Sequence, residues 1–100
     1  MTYLGLRGRG VPPTLTIEEW AKRTGMIFGK DWSIQHNGHD LWLNHLDNGK
    51  PTRIFGSDAE TDTTPDGEIL GIIWKGWYFT TPAALADAWW IHARSKGFGL

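Results

Sequence analysis

The sequence predicts an α+β domain: an antiparallel sheet of four or five strands, one helix before it, one after it, and a flexible basic arm at the N-terminus. Three observations lead there. Helical spacing with start signals appears from Thr16 and again from Thr81. The stretch between them alternates with a period of two. Asn37-Gly38, Asn48-Gly49 and Lys75-Gly76 interrupt that stretch where hairpin turns would fall. A length of 100 residues makes one domain, placed over 17–100 after an arm over 1–16. A chain of this size buries roughly 60–68% of its unfolded surface, enough for one core without staples.

The arm carries Arg7 and Arg9 and no acid. Gly5, Gly8 and Gly10 loosen it, and Pro12-Pro13 stiffens its end into an extended spacer. In the first helix Thr16 caps, Glu19 completes the capping box, and Leu15 staples onto Trp20. Ile17, Trp20, Ala21 and Thr24 share its buried face, and Gly25 is placed to end it.

The first hairpin, turning at Asn37-Gly38, would pair Ile34 with Leu41 and Trp32 with Leu43, and set His36 opposite His39. The second, at Asn48-Gly49, pairs Leu43 with Ile54 and Trp42 with Phe55. The third, at Lys75-Gly76, pairs Trp74 with Trp77 and Ile72 with Phe79. Alternation then sorts the side chains onto two faces. Face one holds Trp32, Ile34, Leu41, Leu43, Ile54, Ile72, Trp74, Trp77 and Phe79 and is the expected core, packed under at least the second helix. Face two mixes Ser33, Gln35, Asn44 and Arg53 with Trp42, Phe55, Ile73 and Tyr78. Between the second and third hairpins, residues 57–68 carry five acids and no base and read as a mobile acidic surface loop. The second helix has Thr81 as cap and Pro82 in its first turn, and runs to about Lys96 before Gly97. Its wheel puts Ala84, Leu85, Ala88, Trp89, Ile91 and His92 on the apolar side. Asp87, Trp90 and Arg94 lie opposite, so Trp90 is expected in solvent.

The chemistry that the chain could perform is narrow. With no cysteine there is no disulfide, thiolate metal site or cysteine nucleophile. Gly25 to Asp31 mimics a phosphate-binding loop but is one residue short, with Asp31 where Ser or Thr is needed. Asp58, Glu60 and Asp62 alternate like calcium-loop ligands, but Thr63 stands at the turn glycine and Ile69 at the bidentate Glu. His36, His39 and His45 are the residues that could gather round a divalent ion, as a metal-assisted hydrolase would need. No cofactor is implied, and an enzyme is the minor reading.

What remains is binding. A net charge of −1 gives no global field toward nucleic acid or membrane, and the longest apolar run, Ile69 to Trp74, falls far short of a span. The N-terminus shows no signal-peptide apolar stretch, and Thr2 stands where myristoylation would need glycine, so the expected location is the cytoplasm. Seven tryptophans in so short a chain draw attention to surface aromatics. Trp42, Arg53, Phe55 and Tyr78 on face two, with Trp90 and Arg94 on the second helix, have the composition of a partner-binding surface. A weaker nucleic-acid mode would use Arg7, Arg9, Lys50, Arg53 and Lys75, with bases stacked on the aromatics.

The closing segment Trp77-Tyr78-Phe79-Thr80-Thr81-Pro82-Ala83-Ala84-Leu85-Ala86 joins an aromatic last strand to an alanine-rich capped helix. It resembles the three-strand-plus-helix DNA-binding modules of phage tyrosine recombinases, and small phage-encoded accessory proteins with the same closure. The first resemblance implies DNA contact through a basic sheet face. The second implies a non-catalytic protein that inhibits or modulates a host protein, of the anti-defence type, in the bacterial cytoplasm. Because Asp40 and the acidic loop oppose the few cations near the sheet, the expected partner is a protein rather than DNA.

Overall fold

A computed structural model describes residues 14–54 and 59–98. In chain order the elements are α1 (Ile17–Phe28), β1 (Trp32–His36), β2 (Asp40–Asp47), β3 (Lys50–Arg53), β4 (Ala59–Thr63), β5 (Ile69–Trp74), β6 (Trp77–Phe79) and α2 (Pro82–Ser95). The strands form one antiparallel sheet in the order β1-β2-β4-β5-β6, with β3 also paired to β2. The architecture is the α+β one expected, with six strands. The sixth is β4, inside the segment read from sequence as an acidic loop. Its burial explains the difference: Ala59 is buried and Thr61 half-buried, while Glu60 and Thr63 point outward. Small and β-branched residues alternate there with acids, and a pleated, half-buried surface accepts that pattern.

Thr16 caps α1 as expected, its hydroxyl accepting from the Glu19 amide at 3.1 Å while the Glu19 carboxylate accepts from the Thr16 amide. The helix does not stop at Gly25, however. It continues to Phe28 and ends at Gly29, whose φ of 105° only glycine adopts freely. Phe28 is buried against Trp32 and Trp90. Burying one such ring, worth about 1.5–3 kcal/mol, outweighs the ~1 kcal/mol cost of an internal glycine.

The Asn48-Gly49 and Lys75-Gly76 turns hold both central residues at positive φ, the type I′ geometry, and give the expected registers. The Ile54 amide donates to the Leu43 carbonyl at 3.0 Å, and Trp74 pairs with Trp77 and Ile72 with Phe79. In the first hairpin the pairing differs by two residues: Ile34 faces Leu43, Trp32 faces His45, and His36 faces Leu41 rather than His39. The Asn37 side chain is the cause. Its amide oxygen accepts from the backbone of His39 and of Asp40, at 3.2 and 2.8 Å, so Asn37 caps the turn instead of occupying its centre. A slip of two keeps every side chain on its predicted face.

Both helices lie on face one. Gly25 of α1 sits against Ile34, and from α2 Trp89 meets Trp74 edge-on at 6.1 Å. Trp20, Leu41, Leu43, Ile72, Leu85 and Trp89 form the centre of a single core. The buried stripe of α2 is Leu85, Ala86, Trp89 and Ala93, so the helix is rotated from its expected orientation. Sheet contact through Leu85 and Trp89 is only half of its burial; the other flank turns to α1. There Trp90 stacks on Phe28 at 4.7 Å and meets Trp32 edge-on. Trp90 is therefore half-buried packing, and the expectation of an exposed indole is corrected. Ile91 takes the solvent position, 65% exposed, and Ala84 is exposed with it.

The seam between β2 and β4 is short. Among the described residues Asp40↔Glu60 and Leu41↔Ala59 pair there, with the Thr61 amide donating to the His39 carbonyl at 2.9 Å, and β4 then shifts register against β5 between Asp62 and Thr63.

Candidate functional site

Among the described residues no helix lies on face two, because both helices are committed to face one; Asn44 and the Ser33 hydroxyl are nevertheless buried there. Across it run Ser33 and Gln35 of β1, Trp42 and Asn44 of β2, Arg53 of β3, Glu60 and Asp62 of β4, Ile73 of β5 and Tyr78 of β6, placed there by pairing parity. Two aromatic clusters form at its ends. At one, the Arg53 guanidinium lies over the half-buried Trp42 ring, 4.3 Å from its centroid. Such a contact fixes the plane of an arginine side chain against the ring. At the other, the ring of Tyr78 crosses over Gly71, where an added Cβ would lie 2.7–2.8 Å from it. Its hydroxyl donates to the Asp62 carboxylate at 2.8 Å. That hydrogen bond, then burial, then the Asp62 charge, raise the Tyr78 phenol above its ordinary pKa. Ile73 and Tyr78 are both exposed at this end.

The structure thus gathers Trp42 with Arg53 and leaves Tyr78 accessible across the same face. Phe55 lies outside the described residues, as do Arg7, Arg9 and the other arm residues before Thr14. Arg94 is exposed on α2, away from the open face, and Trp90 serves the core. The nucleic-acid candidates are not brought together. Lys50 and Arg53 sit on β3, Lys75 sits in the β5–β6 turn, and Glu60 and Asp62 of β4 stand between.

The histidines do not converge either. His36 Nδ1 accepts from the Gly38 amide, His39 lies 3.1 Å from the Asp40 carboxylate, and His45 packs against Trp32 and Phe98. His36 and His45 fall at opposite ends of the hairpin, and no group of three candidate ligands occurs among the described residues. No helix among the described residues is long and apolar enough to cross a membrane.

Sequence reasoning missed two exposed residues on the helix side. Trp77, placed in the core by parity, is 68% exposed, because β6 is the last strand and α2 leaves its edge uncovered. With Ile91 it borders a groove of about 490 Å³ between the third hairpin and α2. The edge position of the final strand was the available signal. A second groove, of about 860 Å³, is lined by Leu15, Arg23, Met26, Ile27, Leu70 and Pro82. No protein-family model, curated protein or solved structure matches the chain.

Proposed function

We propose that this chain is a small non-catalytic protein-binding domain, of the kind a phage accessory protein uses to inhibit or modulate a host protein. The observation that supports it is the exposed part of face two, over which no described helix lies. A sheet face intended only for water has no need of Trp42, Ile73 and Tyr78, and one buried in a core would not carry Gln35, Arg53 and Glu60 among them. Trp42 and Tyr78 supply apolar anchors, and Arg53, stacked on the indole, sets a positive charge beside them. The carboxylates of Glu60 and Asp62 between them disfavour a phosphate backbone, which leaves nucleic acid as the second reading.

The test is capture from a bacterial host lysate by the immobilised wild type, with Arg53→Glu and Tyr78→Ala variants alongside. A host protein retained by the wild type and lost from both variants, with unchanged melting of each, is the expected result. Submicromolar DNA binding at about 150 mM salt would replace this reading with the nucleic-acid one.

A further inference from the structure

The free edge of β6 lacks the protection that β3 has. In the third hairpin, Trp74 and Trp77 flank a two-residue turn and exchange both backbone hydrogen bonds. The next pair, Ile73 and Tyr78, therefore turns its N–H and C=O groups outward. For Ile73 those groups face β4, where it pairs with Glu60. For Tyr78 they face no strand among the described residues. Exposed edges are normally protected by charge, proline or a bulge. β3 has Lys50, Pro51 and Arg53, whereas β6 is Trp-Tyr-Phe with none of these.

Beside that edge lies the groove bordered by Trp77 and Ile91, with Phe79, Ala88, His92 and Ser95 along it. Among the described residues no acidic side chain lines it. Lys75 projects over the Trp74 ring, 5.5 Å from its centroid, and neither Lys75 nor Lys96 is in an ion pair among the described residues. The His92 imidazole lies within reach of both fields: burial, then Lys75, then Lys96 lower its pKa. The groove thus has apolar walls with Lys75 among them and Lys96 near its His92 side. With Lys75 in its lining and no acid among the described residues there, the charge of the groove favours an acidic occupant.

We propose that the β6 edge and this groove bind an extended acidic segment of a partner protein by strand addition, an apolar side chain seated between Trp77 and Ile91 and a carboxylate facing Lys75 and Lys96. Because side chains on an added strand alternate, the apolar residue and the acid stand two positions apart, and the residues between them lie beside Tyr78 on face two. This surface is separate from the Trp42–Arg53 cluster and stands without it.

The probe is the blocked peptide Glu-Thr-Val-Thr-Glu, which presents the same inward side chains in either strand direction, titrated into the full chain and followed by amide NMR. The expected result is saturable binding that shifts the Tyr78 amide and the Trp77 indole, with Arg53→Glu binding as wild type. Lys-Thr-Val-Thr-Lys, or the acidic peptide N-methylated at both threonines, should bind at least about tenfold more weakly. Ile91→Glu should lose binding, and Lys75→Glu with Lys96→Glu should invert the preference between the two peptides, both variants keeping wild-type spectral dispersion. Equal affinity for the two charge forms, shifts confined to Trp42 and Arg53, or no binding at millimolar peptide would overturn the proposal. So would a wild-type dimer in sedimentation that Ile91→Glu makes monomeric, which would give the edge to a second copy.

Discussion

Replacing Gly71 with alanine tests how Tyr78 is held. The backbone at Gly71 lies outside the left-handed region, so alanine fits its φ and ψ, and the loss of unfolded-chain freedom alone would stabilise by about 0.4–1 kcal/mol. Against that, the new Cβ would lie 2.7 and 2.8 Å from two atoms of the Tyr78 ring and 2.8 Å from the Phe79 carbonyl oxygen. The ring can swing away only by giving up its bond to Asp62, and the carbonyl belongs to the β5–β6 ladder and cannot yield without opening it. Overpacking of this kind costs ~1–3 kcal/mol, so the balance is a net loss of roughly 1–2 kcal/mol. In a domain of this length that is a fall in Tm of about 4–15 °C. Urea melts of Gly71→Ala, Tyr78→Ala and the double variant form a cycle. The Gly71→Ala cost should shrink in the Tyr78→Ala background by about 0.5–1 kcal/mol, and a residue should remain from the Phe79 oxygen. The phenol titration of Gly71→Ala, followed by ultraviolet absorbance, should drop back toward its ordinary value as the Asp62 bond is lost. A neutral or stabilising Gly71→Ala would refute the placement of Tyr78 over Gly71.

Two further outcomes follow from burial and charge. Trp89→Ala should cost ~3–5 kcal/mol because its indole is fully buried, whereas Trp77→Ala on the open edge should stay within about 0.5 kcal/mol; equal melting temperatures for the two would contradict the assignment of core and edge. His92 titrates lower in the folded chain than its ordinary 6.5, so between those two values the unfolded chain binds the extra proton; its contribution to stability should be constant above about pH 6.5, fall as pH drops below that, and level off under the folded value. The difference in urea midpoint between wild type and His92→Gln, measured from pH 7.5 to 5, should show that slope, and parallel curves would count against it.

Local signals carried most of the fold. The two positive-φ turns ending in Gly49 and Gly76 were legible because the turn geometry itself demands those residues, and register follows from it. The capping box at Thr16 was legible for the same reason. What failed depended on contacts distant in sequence. Gly25 did not end α1, because Phe28 finds Trp32 and Trp90. Trp90 was misplaced because a wheel shows one buried stripe, and α2 has two neighbours. β4 was hidden by its acids, which are tolerated since only alternate residues face inward. At the candidate site, parity placed Trp42, Arg53 and Tyr78 on one face, but only the sheet order shows that β4 stands between Lys50 on β3 and Lys75 in the β5–β6 turn. Trp77 shows the limit of parity: it gives the side of a sheet and not how far a helix extends over it.

The two-pair seam between β2 and β4 bears on how the native protein opens. Asp40 and Glu60 are directly opposite, an arrangement of like charges that weakens a ladder of two pairs among the described residues. On either side the pairings are extensive, with α1 packed on the β1–β2 hairpin and α2 on β5. Amide protons in β1 to β3 and in β4 to β6 should therefore behave as two cooperative units, joined by the shared core and the meeting of the helices. Hydrogen exchange in the seam amides should be fast relative to either unit, and loosening the Phe28–Trp90 stack should speed exchange in both halves at once.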